Sequence, residues 1–167
     1  METIALKACN SKYVCAENAG KSALIANRER VGAWETFKVI PLKGNKFALQ
    51  ACNGKYVCAE RKGANSLIAN RDKVGAWETF EWVNKGNRKG FKAGCNGKHV
   101  CAEGGGAKAL IANRDNFDVW ESFDVIELNS DALKALAKKG KEATAERAGT
   151  DENMMNEQTM TLGKDFK

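Results

Sequence analysis

Proline and histidine are almost absent from this chain, with one of each in 167 residues. A lone histidine leaves no partner for a nucleophile–base pair and removes the usual zinc-ligand patterns. No Cys-x-x-Cys motif occurs, and no Gly-rich phosphate loop precedes a helix, since Gly104-Gly105-Gly106 reads as a hairpin turn. Runs of Lys/Arg that would mark a nucleic-acid site are missing. No apolar stretch approaches the roughly 20 residues of a membrane-spanning helix. The first residues, Met1–Lys7, lack the basic and apolar regions of a signal peptide, so the chain as written is expected to be cytoplasmic, or secreted if a signal has been removed. These absences exclude the common catalytic classes. The expectation is a monomeric, non-enzymatic protein with no metal or cofactor, and with neither nucleic acid nor membrane as partner.

What is present is a modest positive charge and a strong pattern. The formal net charge is +6, with a sequence pI near 9.0. Residues 130–167 hold seven basic and seven acidic side chains, so the whole excess lies in residues 1–129. A basic domain suits an acidic partner. The six cysteines fall at 9, 15, 52, 58, 95 and 101. A hairpin with the two-residue turn Asn53-Gly54 pairs Cys52 with Lys55 and sets Cys58 opposite Leu49. The two cysteines of a copy are then not cross-strand partners, and reduced, partly buried thiols are expected.

Three copies of one unit align without gaps at a period of 43 residues, over 1–43, 44–86 and 87–129. Tyr-Val-Cys-Ala-Glu at 13–17 and 56–60 becomes His-Val-Cys-Ala-Glu at 99–103. Leu-Ile-Ala-Asn-Arg occurs at 24–28, 67–71 and 110–114. Trp-Glu-Thr-Phe at 34–37 and 77–80 becomes Trp-Glu-Ser-Phe at 120–123. Each copy reads as four short strands with no helix between them, which indicates a closed all-β structure. Four strands in three copies give the twelve strands of a β-trefoil, and three units are too few for a typical propeller.

Alternation assigns faces. Leu6, Ala8, Val14 and Ala16 point inward, as do Phe37 and Val39, while Tyr13, Cys15 and Glu17 point outward. Extending the fourth strand back to Trp34 places the indole away from the core. His99 is a variant of the Tyr13 and Tyr56 position, and Trp82, which has no counterpart in the other copies, reads as local packing.

The motifs Asn-Gly-Lys-Tyr-Val-Cys-Ala-Glu, Leu-Ile-Ala-Asn-Arg and Trp-Glu-Thr-Phe resemble those of the fascin-like β-trefoil family across residues 1–129. The resemblance implies one of two functions. Single trefoils of this kind resemble carbohydrate-binding modules, with a sugar site per lobe built from a Trp and a carboxylate; fascins, with four trefoils, bundle actin filaments. The candidate sugar-binding residues are Trp34, Trp77 and Trp120 with Glu17, Glu60 and Glu103, or with Glu35, Glu78 and Glu121. An aromatic platform stacks on a pyranose and a carboxylate accepts from its hydroxyls. Partners are thus a polysaccharide or glycan, or alternatively filamentous actin. A purely structural reading stands beside these: Trp34 closes the barrel end, and Glu35, Glu78 and Glu121 bridge to Arg28, Arg71 and Arg114. From residue 130 the repeat stops; Ser130 or Asp131 can cap a helix with one short apolar stripe, and 150–167 reads as flexible.

Overall fold

The computed structural model describes residues 2–128; the tail expected over 130–167 lies outside the described residues. Twelve strands follow one another with only short turns and single 3-10 turns between them. The first lobe contains β1 (Glu2–Lys7), β2 (Tyr13–Ala16), β3 (Leu24–Arg28) and β4 (Phe37–Pro41). The second contains β5 (Lys46–Gln50), β6 (Tyr56–Ala59), β7 (Leu67–Arg71) and β8 (Phe80–Lys85). The third contains β9 (Arg88–Ala93), β10 (His99–Ala102), β11 (Leu110–Arg114) and β12 (Asp124–Glu127).

All pairings are antiparallel. The outer strands of the lobes pair in sequence, β12 with β1, then β4, β5, β8 and β9. The Phe123 N–H donates to Lys89 O at 2.8 Å and brings the last lobe back to β9, closing the ring. The inner strands form three hairpins, β2–β3, β6–β7 and β10–β11, whose second strands approach one another over one end of the barrel. This is a β-trefoil. Its core consists of Phe37, Phe47, Phe80 and Phe91 with Ile4, Leu6, Leu24, Leu49, Leu67 and Leu110, all fully buried. Trp82 lies at its edge, stacked on Phe47 at 4.0 Å with Lys89 Nζ 4.6 Å above it.

Three local expectations are corrected. The first concerns the hairpin turn, which has three residues and not two: Ala51 N–H donates to Lys55 O at 2.9 Å, and Gly54 N–H to Ala51 O at 3.0 Å. The last turn residue takes the left-handed conformation, with Gly54 at φ 78° and Ser11 at φ 65°. Such a turn shifts the register by one residue from a two-residue hairpin, so Gln50 faces Tyr56.

Secondly, the third lobe does not follow the 43-residue period through β9. Ala8, Ala51 and Ala93 are equivalent, because each donates its N–H to the carbonyl of Lys12, Lys55 or Lys98 at 2.9 Å. Lys89-Gly90-Phe91-Lys92-Ala93 therefore superposes on Phe47-Ala48-Leu49-Gln50-Ala51, one residue out of the gapless alignment, and Gly94 is an extra turn residue. A one-residue slip moves every side chain to the other face. It puts Phe91 in the core at the Leu49 position and Gly90 in the tight place of Ala48. A Cβ on Gly90 would stand 2.3 Å from Phe117 Cε1.

The third correction is to Cys15, Cys58 and Cys101, which are fully buried and do not face outward. β2, β6 and β10 are covered on both sides, by the core on one and by the turn that precedes β4, β8 or β12 on the other.

The lobes are locked to one another by an asparagine–glycine contact that recurs three times. Asn10, Asn53 and Asn96 each donate Nδ2 to the carbonyl of Ala26, Ala69 or Ala112 at 2.9 Å. Their Oδ1 atoms accept from the N–H of Lys12, Lys55 and Lys98 at 3.0, 3.0 and 2.9 Å. Each amide also lies against a glycine of the preceding lobe. A Cβ on Gly106, Gly20 or Gly63 would stand 2.1 Å from Nδ2 of Asn10, Asn53 or Asn96, and all three glycines have φ between 93° and 103°. Neither the space nor the backbone admits a side chain. Gly63→Ala is expected to lower stability in urea unfolding by about 3 kcal/mol, from clash and strain together. Gly54→Ala, with positive φ but open space around it, is expected to cost about 1 kcal/mol. Equal losses would contradict the interlock.

Candidate functional site

The Trp-Glu dipeptide of each lobe does not belong to a strand. Ala33–Glu35, Ala76–Glu78 and Val119–Glu121 are single 3-10 turns. The glutamate holds each turn from inside. Glu35, Glu78 and Glu121 accept from the backbone N–H of Gly32, Gly75 and Asp118, each at 2.7 Å. Thr36, Thr79 and Ser122 then donate their hydroxyls to the carbonyls of the same three residues at 2.8 Å. A carboxylate three residues into a turn, reaching back to its first N–H, satisfies a donor that the turn leaves free. At 0, 6 and 4% exposure these carboxylates do not reach solvent, which corrects their candidacy as sugar contacts.

The arginine of Leu-Ile-Ala-Asn-Arg takes its ion pair from the other glutamate. Arg28 Nη2 lies 2.9 Å from Glu17 Oε1, and Arg71–Glu60 and Arg114–Glu103 repeat the pair. The expected bridges to Glu78 and Glu121 are replaced by these, because the turn carboxylates are committed below. With about a third of each glutamate side chain exposed, a pair of this kind contributes about 1 kcal/mol or less. Its larger effect is positional. The guanidinium centres of Arg28, Arg71 and Arg114 sit 5.7, 5.5 and 5.6 Å from the rings of Trp34, Trp77 and Trp120. Each indole is thus held between its turn and a stacked arginine.

Beneath this layer the thiols of Cys58 and Cys101 donate to Glu60 and Glu103 at 3.5 and 3.7 Å, and Cys15, Cys58 and Cys101 also lie beside the buried Glu35, Glu78 and Glu121. Burial first, and then the neighbouring carboxylate, push all three thiols up. Cys101 reaches about 12 from the ordinary 9.0, with Arg114 opposing the shift. The cysteines are therefore proton-bearing struts under the turn.

Trp34 and Trp77 are half-buried, whereas Trp120 is 41% exposed and its neighbour Val119 51% exposed. Beside Trp120 lies an open groove of about 710 Å³, lined among others by Asn113, Asn116 and Asp118. Of these lining residues, Asn116, Asp118 and Val119 were not candidates from the sequence. The available signal was the departure of the third copy from the other two: Asp118 stands where Gly32 and Gly75 stand, and Val119 replaces Ala33 and Ala76.

The sequence matches the family described as "Domain of unknown function (DUF7910)" over residues 3–92, more than half of the chain, and the protein belongs to that family. No curated protein matches it. Among solved structures it resembles the designed threefold-symmetric protein ThreeFoil, at 18% identity and a TM-score of 0.69, over 75% of this chain and 99% of that one. It also resembles the Polyporus squamosus lectin bound to Neu5Acα2-6Galβ1-4GlcNAc, a human-type influenza-binding epitope, at 13% identity and a TM-score of 0.66. That match covers 76% of this chain and 49% of the lectin. The BEL β-trefoil is similar at 10% identity and a TM-score of 0.64, covering 76% and 93%. Glycosidases match too, with this chain spanning 30% and 33% of theirs. At such identities the likeness establishes the fold.

Thiol chemistry checks the layer under the indoles. In the folded protein a disulfide-exchange reagent at pH 8 is expected to modify exposed Cys52 first and to leave Cys15, Cys58 and Cys101 untouched. The thiol of Cys101 is neutral in the fold and ionises near 9 when unfolded. Its contribution to stability is full below pH 9 and is lost as pH rises toward 12. Urea stability is expected to fall over that window, less steeply in Cys101→Ala.

Proposed function

We propose that this protein is a non-catalytic, carbohydrate-binding trefoil of fascin-like kinship, with candidate sites at the lobe turns that carry Trp34, Trp77 and Trp120. The observation that carries the reading is Trp120, a solvent-facing indole at 41% exposure beside a groove with Asn113, Asn116 and Asp118. An indole face covers the C–H face of a pyranose, and amides and a carboxylate exchange hydrogen bonds with its hydroxyls. The arginine stacked on each indole lowers the cost of ordering it, because the ring is held before a ligand arrives. The similar lectin supports the reading at the level of the fold.

The non-catalytic part rests on how the carboxylates are used. Glycoside hydrolysis needs an acid and a second carboxylate facing each other across one bond. Here one glutamate of each lobe is buried in a turn and the other is paired to arginine. Glu17, Glu60 and Glu103 keep partial exposure beside the indoles, and in the third lobe Asp118 adds a carboxylate in the groove.

Affinity electrophoresis of the full chain in gels containing soluble β-glucan, galactan or mannan tests the proposal. Retardation by at least one polymer is expected, and loss of retardation in the Trp34→Ala, Trp77→Ala, Trp120→Ala triple variant. Co-sedimentation with filamentous actin together with no retardation by any polymer would overturn it in favour of the actin-binding function.

A further inference from the structure

We infer that the carbohydrate site is held by the third lobe alone and that it takes an uncharged pyranose; this inference rests on the carbohydrate-binding reading. The three lobes share their buried layer but not their surface. Val119 and Trp120 are the exposed large hydrophobic residues of the described chain, and they are adjacent. The corresponding pairs, Ala33-Trp34 and Ala76-Trp77, combine a smaller side chain with a half-buried indole.

The cause lies in the turn beneath each indole. In the third lobe this turn is Gly104-Gly105-Gly106, and a Cβ on Gly105 would stand 3.5 Å from Trp120 Nε1. The equivalent positions carry Ala19 and Lys62, so the other lobes place a side chain where the third leaves the indole edge open. Those lobes also accept a strained backbone to do so. Ala19 and Lys62 have φ of 56° and 58°, a region that suits glycine. Freed of that side chain, Trp120 is the more exposed indole, at 41%, and it lines the groove.

The lining then selects the ligand. At the equivalents of Arg30 and Lys73 the third lobe has Asn116, and at the equivalents of Gly32 and Gly75 it has Asp118. A cation is removed and a carboxylate added, within a domain whose charge is otherwise positive. Asp118 holds the turn through its backbone, by the N–H to Glu121 and the carbonyl from Ser122, which leaves its carboxylate to face a ligand. Asp115, also in the groove, is paired with Lys98. A uronate or sulfate brought beside Asp118 meets repulsion of about 1 kcal/mol even in a water-like medium, several-fold in affinity. Arg114, stacked on the same indole at 5.6 Å, is paired with Glu103 and offers an anion little to offset that repulsion. A neutral pyranose does not meet the penalty, and its hydroxyls suit the carboxylate and the two amides.

Isothermal titration of the full chain with cellohexaose, a galacto-oligosaccharide and mannohexaose, beside an oligogalacturonate and a heparin oligosaccharide, tests the inference. One site per chain is expected for a neutral oligosaccharide, with affinity at least tenfold above that for the anionic ones. Trp120→Ala is expected to weaken binding tenfold or more, and Trp34→Ala and Trp77→Ala less than twofold. The double change Asp118→Gly with Val119→Ala, which installs residues the other lobes already tolerate, is expected to weaken binding as Trp120→Ala does while leaving urea stability unchanged. Three sites per chain, or equal losses for the three tryptophans, would overturn the single-lobe inference and leave carbohydrate binding standing. Tighter binding of the anionic oligosaccharides would overturn the assignment of a neutral ligand. No binding of any oligosaccharide would remove the carbohydrate reading and this inference together.

Discussion

Three asparagine amides, each pressed against a glycine of the preceding lobe, set the geometry on which everything else in this trefoil depends. Asn10, Asn53 and Asn96 fold their own hairpin turn through Oδ1 and tie it to the next hairpin through Nδ2. Because Gly106, Gly20 and Gly63 carry no side chain, the amides approach the preceding lobe at a distance that no Cβ would allow. One residue type thus satisfies the backbone within a lobe and fixes the distance between lobes. The contact runs around the pseudo-threefold axis and closes on itself, so no lobe has a free end within the described fold.

On that frame each lobe builds the same buried layer in the same order. A neutral thiol packs beside a buried carboxylate, the carboxylate supports a 3-10 turn, and the turn presents an indole that an arginine steadies from the side. The backbone N–H of Asp118 satisfies Glu121, which is the condition for placing a carboxylate at 4% exposure. The repeated buried Cys and the glutamate of each Trp-Glu pair are thereby explained as structure. Differences between lobes at positions 104, 105, 116, 118 and 119 lie at the surface, where substitution does not disturb the frame.

The period of 43 and the alternation of Val14 and Ala16 made the fold legible in the sequence, since identical residues at fixed spacing have to occupy equivalent places. Alternation misled at Cys15 because a strand covered on both faces buries both sets of side chains. At Trp34 it gave the right side, away from the core, by carrying the strand pattern back through what is a turn. In β9 the repeated Cys95 suggests a gapless alignment, while the pairing is set by Ala93, and only the hydrogen bonds distinguish the two. Two glutamates per lobe lie within reach of one arginine, and sequence alone does not say which pairs with it. The residues that single out the third lobe were visible as breaks in the repeat, yet their meaning depended on knowing that 105 lies beneath 120.

The central claim is that one indole of the four in the chain is displayed for a ligand while the others are part of the structure. The ¹H–¹⁵N spectrum of the full chain resolves this directly, because each tryptophan contributes one indole N–H signal. Titration with a neutral oligosaccharide is predicted to move the Trp120 Nε1–H signal progressively and to leave those of Trp34, Trp77 and Trp82 in place. Movement of Trp34 and Trp77 to the same extent, or a titration in which Trp120 alone stays still, would contradict the account.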